Sequence, residues 1–217
     1  MCGRYSVLTE DEIIKIRSAL QSISLKLVND GLANYNARAG ETLPTDMAPV
    51  VIKNNSGVSF ELAKFGFKKW DGNGVIINAR SETMQSKKMF SRLLNVGRCI
   101  VPAKEYYEWQ NNEAALKSAD ANRKPSEKKN KHFIKDKEGG LLFFAGLYQI
   151  IGGEKEFVII TKEATGDVMD IHDRMPVILR MNQIELWLNG TLGPDEIVRM
   201  DFNAEVLPCE KAPRGRK

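Results

Sequence analysis

The chain has 217 residues, of which 42% are hydrophobic and 28% charged, and its formal net charge is +4 at pH 7. This composition is typical of a globular protein with a substantial core, and the apolar runs are too short for a transmembrane helix. A positive charge of this size permits a polyanionic partner without requiring one. The first residues contain no apolar signal-peptide core, so we expect a cytoplasmic protein, or a nuclear one in a eukaryote.

Cysteine and histidine are scarce and widely spaced. The cysteines are Cys2, Cys99 and Cys209, no CxxC pair occurs, and the histidines are His132 and His172. A structural zinc site needs four clustered ligands, and disulfide frameworks belong to oxidising compartments. We therefore predict no metal, no cofactor and no disulfide. Cys99 lies inside an apolar run and is interpreted as a small buried residue.

The chain begins with a helical pattern, and strands follow it. Residues 9–22 carry a helical apolar stripe, and Thr9 and Glu12 fit a capping box at the start of that helix. Residues 81–97 predict a second helix that ends at a glycine. Apolar runs bounded by turn residues predict strands at 50–53, 58–67, 74–80, 98–103, 105–109 and 156–161.

The second half of the chain predicts a hairpin and two short helices. The runs 131–136 and 141–150 flank the turn KEGG and predict a β-hairpin. A helix is expected at 182–190, with Asn182 as its N-cap, and another at 194–200.

Strands outnumber helices, and short turns rather than crossover helices join many of them. This pattern predicts an α+β fold, with one β-rich, barrel-like domain over 1–217, mostly antiparallel or mixed sheets and scattered short helices. Residues 110–130 are polar and lysine-rich, so we expect a mobile surface insertion there. Residues 211–217 are expected to form a basic tail.

Four short segments carry more polar residues than their apolar surroundings need. They are MCGR at 1–4, NARSE at 78–82, YYEW at 106–109 and IHDRMP at 171–176. Each lies at the start of the chain or at the end of an apolar run, where a strand presents side chains to a cleft. The sequence contains no phosphate-binding loop, paired-histidine zinc motif or serine nucleophile elbow.

Cys2 is the most reactive side chain in these segments. It is either an incidental cysteine in a frayed terminus or a functional group. Removal of Met1 would leave a free α-amine, whose ordinary pKa of about 7.7–8.0 keeps it partly neutral at pH 7. That amine can condense with an aldehyde to a Schiff base, and the neighbouring thiol can then close a thiazolidine ring. The sequence thus permits an aldehyde trap at Cys2.

The other polar residues have a structural and a functional interpretation. His172 is either a satisfied structural histidine or the first residue of a polar site. Glu108 is either a surface residue or a carboxyl group in a cleft, where desolvation would raise its pKa toward acid/base use. Asn78 and Arg80 share one face of a strand, and are either ordinary strand-end residues or members of the same site.

The ordered blocks MCGRY, NARSET, RCIVPAKEYYEW, FAGLY, FVIITKEA and IHDRMPVIL resemble the SOS-response-associated peptidase (SRAP) family over residues 2–190. The resemblance implies a β-rich α+β domain with a basic groove for single-stranded DNA, associated with the nucleoid or the nucleus. It also implies loss of the initiator methionine and covalent capture of abasic sites. The ring-opened aldehyde would become a thiazolidine crosslink, through lyase-like Schiff-base chemistry, and this would shield the lesion. We expect a monomer that does not bind membranes.

The resemblance also implies roles for residues of the polar segments. Cys2 would form the crosslink, and Asn78 would position its amine or the sugar. Glu108 would act as acid and base, and His172 would help to transfer a proton to the sugar oxygen. Arginine suits phosphate, and an aromatic ring suits an unpaired base. The residues expected to contact DNA or order the site are Arg4, Arg80, Lys88, Trp109, Thr161 and Arg174.

Two of the departures from the family pattern bear on the choice of site residues. Glu105 stands where relatives often carry glycine and is therefore a second carboxylate, and we choose Glu108 as acid/base because it lies within the YEW triplet. A tryptophan-rich segment of relatives appears here as KFGFKKWDGNG, in which Phe65 and Trp70 are expected to replace the aromatic residues that wedge into DNA.

Two rival functions stay open. In the first, Cys2 is the nucleophile of an N-terminal-nucleophile thiol peptidase, with His172 or Glu108 as base and self-removal of Met1 as its minimal activity. In the second, the chain is a non-catalytic nucleic-acid-binding module. The binding module ranks last because the polar segments are denser than such a module requires, and covalent capture is the leading hypothesis.

Overall fold

The computed structural model describes residues 2–23, 25–32, 35, 40–110, 130–199 and 201–209. The predicted insertion lies outside these ranges except for its two end residues, and the predicted basic tail lies outside them entirely. No helix in the described part of the chain combines the length and apolar character needed to cross a membrane.

Strand residues outnumber helical residues in the described chain, and the helices are short and scattered, which confirms the α+β prediction. The strands are β1 (Tyr5–Ser6), β2 (Leu27–Asp30), β3 (Glu41–Thr42), β4 (Met47–Asn54), β5 (Gly57–Phe65), β6 (Phe67–Lys68), β7 (Val75–Ile76), β8 (Asn78–Arg80), β9 (Arg98–Ala103), β10 (Glu105–Trp109), β11 (Lys131–Asp136), β12 (Leu142–Ile151), β13 (Glu154–Glu163), β14 (Arg174–Pro176) and β15 (Ala204–Pro208). The helices are α1 (Glu10–Ser22), α2 (Lys88–Ser91), α3 (Leu93–Val96), α4 (Met181–Leu188) and α5 (Pro194–Val198), with a 3₁₀ helix at Gly166–Asp170.

A five-stranded barrel forms the centre of the fold. The larger sheet has the order β14-β13-β12-β9-β4-β5-β2, and β5 also pairs with β13, so that β13, β12, β9, β4 and β5 form a ring. The closing pair is parallel and places Phe157 opposite Phe65, whereas the other four pairs of the ring are antiparallel. Closure removes exposed strand edges from the ring. The predicted mixed, barrel-like sheet is therefore confirmed.

A second sheet, with the order β15-β11-β10-β1-β3, shares a core with the barrel. Strand alternation divides the barrel side chains between two clusters: Ile100 belongs to the cluster with α1 and α4, and Val101 to the cluster with the second sheet. Tyr5 and Tyr106 of the second sheet each meet Phe144 of the barrel edge-to-face, with ring centroids 6.0 Å apart. These contacts place the start of the chain in the shared core.

Helix α1 begins as the sequence predicts. The Glu12 amide donates to Thr9 Oγ1, and the Thr9 amide donates to Glu12 Oε2 at 2.8 Å, which completes the capping box. The buried stripe of this helix contains Ile13, Ile16 and Leu20. The three- and four-residue spacing of the apolar residues therefore predicts both the helix and its buried face.

The predicted hairpin of 131–136 with 141–150 is wrong. Strand β11 pairs with β10 and β15 in the second sheet, whereas β12 pairs with β9 and β13 in the barrel. The KEGG turn therefore carries the chain from one sheet to the other. Local turn residues show that the chain reverses, but they do not specify which strands pair.

Two helix predictions also need correction. In 81–97 only α2 and α3 are helical, because the Ser81 amide donates to the Thr161 carbonyl at 2.9 Å and ties the start of this segment to β13. Helix α4 has Arg180 rather than Asn182 as its N-cap, and the Arg180 amide donates to Gln183 Oε1 at 2.8 Å.

Candidate active site

Cys2 lies in the core shared by the two sheets, and its side chain has no exposed surface. Strand β1 runs antiparallel to β10 with Tyr5 opposite Tyr106, and the Tyr107 amide donates to the Arg4 carbonyl at 2.9 Å. The start of the chain therefore runs back along the YEW triplet. This pairing brings residue 2 beside Glu108.

The environment of the Cys2 thiol favours its protonated form. Burial raises the pKa of this thiol well above its ordinary value, and the charge of Glu108 raises it further. A hydrogen bond from the backbone of Arg4 opposes the shift only in part. At neutral pH the group is a thiol rather than a thiolate.

Asn78 holds the backbone of residue 2. Strand β8 pairs with β13 in parallel and places Asn78 opposite Ile159. Asn78 Nδ2 donates to the Cys2 carbonyl at 3.2 Å and lies 3.4 Å from the Ile159 carbonyl. Asn78 Oδ1 is buried and has no hydrogen-bond partner among the described residues. The amide thus anchors residue 2 and leaves one buried acceptor next to it.

Glu108 has the protonation behaviour of an acid/base group. Its side chain is 3% exposed, and burial raises its pKa to about 7, with a smaller contribution from the charge of Asp173. A hydrogen bond from the Trp109 backbone acts in the opposite direction. Both protonation states are therefore populated at neutral pH, and the group can donate or accept a proton.

His172 follows the 3₁₀ helix and is largely buried. Its Nδ1 lies 3.0 Å from the Arg174 amide nitrogen and 2.6 Å from Asp173 Oδ1. A neutral Nδ1 accepts from the amide, and a protonated one pairs with the carboxylate, so each state has a partner. Gln110 Nε2 donates to the Asp170 carbonyl at 3.3 Å, which ties this segment to the end of β10.

Arg4 and Trp109 lie together at the edge of this cluster. The Arg4 guanidinium carbon is 4.9 Å from the centroid of the Trp109 ring. Lys131 lies opposite Trp109 in the β10–β11 pair. Arg4 and Lys131 both contact the Glu41 carboxylate. Sequence reasoning missed Lys131, because only the pairing of β10 with β11 across the insertion places it here.

Arg174 is partly buried and is hydrogen-bonded to Glu82 and to the buried residue Thr161. Arg174 Nη1 and Nη2 pair with the Glu82 carboxylate at 2.8 and 2.9 Å, and Nη2 donates to the Thr161 carbonyl at 2.8 Å. Thr161 is fully buried, so the prediction that its side chain lines the groove is wrong. Arg80, opposite Thr161 in the strand pair, is exposed.

The remaining residues predicted from the sequence lie in three separate parts of the fold. Lys88 is exposed at the start of α2 and lines a depression with Tyr148 and Ile150, so the structure does not bring it into the Cys2 cluster. Phe65 is fully buried, and its ring stacks on that of Phe157 with the centroids 5.1 Å apart. The prediction that Phe65 wedges into DNA is therefore wrong. Trp70 is 97% exposed between β6 and β7 and is free to contact a ligand.

His132 is a second residue that sequence reasoning did not place. It lies opposite Glu108 in the β10–β11 pair, and burial lowers the pKa of its ring. Among the described residues, a hydrogen bond with the Asn130 backbone acts on this pKa in the opposite direction. Within the same ranges, no group of three or more histidine, cysteine, aspartate or glutamate residues is arranged to hold a metal ion.

Comparison with known proteins supports one family. A model of the family described as SOS response associated peptidase (SRAP) matches residues 1–209. The chain is 35% identical over 170 residues to the Bacillus subtilis protein named abasic site processing protein YoaM, a match that covers 76% of this chain and 61% of YoaM. It is 31% identical over 211 residues to the abasic site processing protein YobE of the same organism, with 87% and 82% covered.

A solved structure supports the fold. The crystal structure of a Bordetella bronchiseptica protein aligns with a TM-score of 0.70 at 18% identity, and the alignment covers 97% of this chain and 100% of that one. At this identity the likeness concerns the fold alone. The family match over residues 1–209 leads to one conclusion. The chain belongs to the SRAP family.

Proposed function

We propose that this protein captures abasic sites in single-stranded DNA covalently, through residue 2, after removal of Met1. The names of YoaM and YobE as abasic site processing proteins support this substrate class. The observation that carries the proposal is the hydrogen bond from Asn78 to the Cys2 carbonyl, which holds residue 2 beside a carboxyl group whose pKa is about 7.

The α-amine of residue 2 is the first nucleophile. The thiol is protonated, whereas a free α-amine is partly neutral at pH 7. Asn78 Oδ1 accepts an N–H of that amine and directs its lone pair toward the aldehyde carbon of the opened sugar. The new C–N bond gives a carbinolamine, and protonated Glu108 donates a proton to its hydroxyl, which leaves as water. An iminium ion results.

The thiol completes the crosslink. The thiol gives its proton to the Glu108 carboxylate, its sulfur adds to the iminium carbon, and the C=N electron pair moves to nitrogen. Glu108 thereby regains the proton that it gave to the departing water. The product is a thiazolidine, one water is released overall, and no atom is oxidised or reduced. Ring closure is fast because thiol and imine belong to one residue.

The other site residues act on the DNA. His172 donates a proton to the ring oxygen as the sugar opens, and its two Nδ1 partners allow it to change protonation state. Arg4, Arg80 and Trp109 are the residues we propose for backbone and base contacts, and Arg174 orders the site from below. Lys88 extends the contacts if the strand reaches α2.

Capture is favoured over peptide cleavage in trans. A thiol peptidase needs a thiolate, and both burial and Glu108 oppose one at Cys2. Self-removal of Met1 is the one peptidase activity that belongs to this proposal. Offering peptides beside abasic DNA compares the two functions directly, since turnover of peptides would favour the peptidase.

Intact-protein mass tests the proposal. Protein that lacks Met1, incubated with a single-stranded oligonucleotide carrying one abasic site, should gain the mass of the oligonucleotide minus one water in a heat-stable adduct. An intact strand should give none. The Cys2→Ser variant should yield no heat-stable adduct, whereas Cys99→Ser, which changes another buried cysteine, should react normally. A heat-stable adduct at wild-type yield in Cys2→Ser would refute the mechanism.

A further inference from the structure

Two cations converge on one carboxylate beside the Cys2 segment. Arg4 Nη1 lies 3.3 Å from Glu41 Oε2, and Lys131 Nζ contacts Glu41 Oε1. The side chains are partly open to solvent, with exposed fractions of 44% for Arg4, 26% for Lys131 and 27% for Glu41. Each carboxylate oxygen thus receives one cation, which is also how two basic side chains bind two phosphate oxygens.

Aromatic rings hold the two cations independently of Glu41. Lys131 Nζ lies 4.1 Å from the Tyr107 ring centroid and 5.6 Å from that of Trp109. The Arg4 guanidinium carbon lies over the Trp109 ring, 4.9 Å from its centroid. Cation–π contacts of this length restrict both side chains. The cations therefore keep their positions when the carboxylate moves away.

The other acid nearby is engaged elsewhere. Tyr107 Oη donates to Glu105 Oε1 at 2.7 Å, so the Glu105 carboxylate pairs with the Tyr107 phenol rather than with Arg4 or Lys131. Among the described residues, Glu41 is the acid that pairs with both Arg4 and Lys131. It lies on β3, which pairs directly with β1.

We propose that Arg4 and Lys131 form a phosphodiester-binding site and that Glu41 occupies this site in the free protein as a removable substitute for phosphate. The proposal rests on the function proposed above, and it adds Lys131 as a contact residue and Glu41 as the residue that controls access. Arg4 is two residues from Cys2, so the bound phosphate belongs to a nucleotide next to the captured one. Binding exchanges one anion for another at a preformed site.

The charge-neutral variant Glu41→Gln tests this exchange. Because no carboxylate has to be displaced, the variant should bind an intact single-stranded oligonucleotide about fivefold more tightly at low salt. In the wild type, the bound phosphate releases a cation, but the displaced Glu41 carboxylate takes one up. Counterion release at this site therefore contributes little to the affinity of the wild type. The plot of log affinity against log salt should therefore become steeper by roughly 0.7 in the variant, the value for one phosphate.

Glu205→Gln is the matched control. It removes one negative charge from the same sheet, and Glu205 pairs with Lys135 at 3.1 Å with similar exposure, but it touches neither Arg4 nor Lys131. Its affinity should stay within about twofold of the wild type. Equal gains in the two variants would reduce the effect to net charge and overturn the proposal.

A double variant tests the role of Lys131. In the Glu41→Gln background, Lys131→Gln should abolish the gain in affinity and restore the shallower salt dependence. A gain that persists without Lys131 would overturn the two-cation site. Thermal denaturation of each variant checks that it is folded.

Crosslinking to abasic DNA separates this proposal from the function on which it rests. If adducts form but Glu41→Gln binds like Glu205→Gln, the phosphate site is wrong and the capture mechanism stands. If Glu41→Gln binds the intact oligonucleotide more tightly than Glu205→Gln does, but neither the wild type nor any variant forms an adduct, the phosphate site stands and the capture mechanism is wrong.

Discussion

Burial of Glu108 couples the stability of the fold to the chemistry proposed for the site. Burial is the largest cause of its raised pKa of about 7. A carboxyl group with a raised pKa binds more protons in the folded than in the unfolded chain, so the free energy of unfolding falls as pH increases. The loss begins near the unfolded-state pKa of about 4.3 and is nearly complete above the folded-state value.

Replacing Glu108 with glutamine should remove this dependence. Between pH 5 and pH 8 the free energy of unfolding of the wild type should fall by about 2–3 kcal/mol more than that of Glu108→Gln. Urea unfolding at the two pH values measures the difference. The variant should also form adducts about 100-fold more slowly at pH 7, because it cannot transfer a proton. Parallel pH profiles in the two proteins would contradict the assigned environment.

The sequence drew attention to residues whose own segment is unusually polar. It did not point to residues that reach the candidate site only through strand pairing. Cys2, Asn78, Glu108 and His172 each stand in a polar segment at the start of the chain or at the end of an apolar run. This local signal left a structural and a functional interpretation open for each of them, and the resemblance to the SRAP family supplied the proposed roles. Lys131 and His132 follow the insertion and join the site only through the register of β10 with β11. Such a register depends on contacts across the sheet, which no local pattern encodes.

At the scale of the element, Gly66 explains why the predicted strand 58–67 divides into β5 and β6. Its φ is +107°, and a Cβ atom at this position would lie 2.8 Å from side-chain atoms of Val75. The chain bends there and enters the short hairpin of β6 and β7, which presents Trp70 to solvent. An exposed tryptophan adds little to the core, but it offers a flat surface on which a base can stack.

Trp70→Ala should therefore weaken DNA binding without destabilising the protein. We expect about tenfold lower affinity for a single-stranded oligonucleotide, within the range for loss of one stacked base, and an unchanged melting temperature. Fluorescence anisotropy and thermal denaturation measure the two quantities. Ile14→Ala, at a position 55% exposed on α1, is the control and should change neither. An unaltered affinity in Trp70→Ala would exclude the hairpin from the DNA contact.

At the scale of the whole molecule, the barrel and the second sheet depend on one core. Phe144 contacts Tyr5 and Tyr106, and Cys2 belongs to the same cluster. Element types and most strand bounds followed from periodicity, whereas the docking of the two sheets did not, because the contacts that join them are distant in sequence. Asn78 comes from a strand of the barrel sheet and Glu108 from the second sheet, so the site exists only when the two are docked.

Phe144→Ala should test this dependence. Loss of a fully buried phenylalanine costs about 3–5 kcal/mol, and the barrel and the second sheet should still unfold in a single transition. Adduct formation should fall in proportion to the folded fraction. Met89→Ala, at a position 44% exposed, should cost less than about 0.5 kcal/mol. Two separate unfolding transitions in Phe144→Ala would show that the sheets are independent.

Cys209 differs from the other two cysteines in being accessible. Cys2 and Cys99 are buried, whereas Cys209 is partly exposed and its amide donates to the Lys131 carbonyl at 2.9 Å. Burial still raises the pKa of its thiol, so a thiol-reactive dye should attach best in mildly alkaline buffer. The chain thus provides a fluorophore attachment point on a residue whose backbone is hydrogen-bonded to that of Lys131. The arrival of a DNA strand can then be followed in real time, while the buried Cys2 thiol, proposed as the capturing group, stays unmodified.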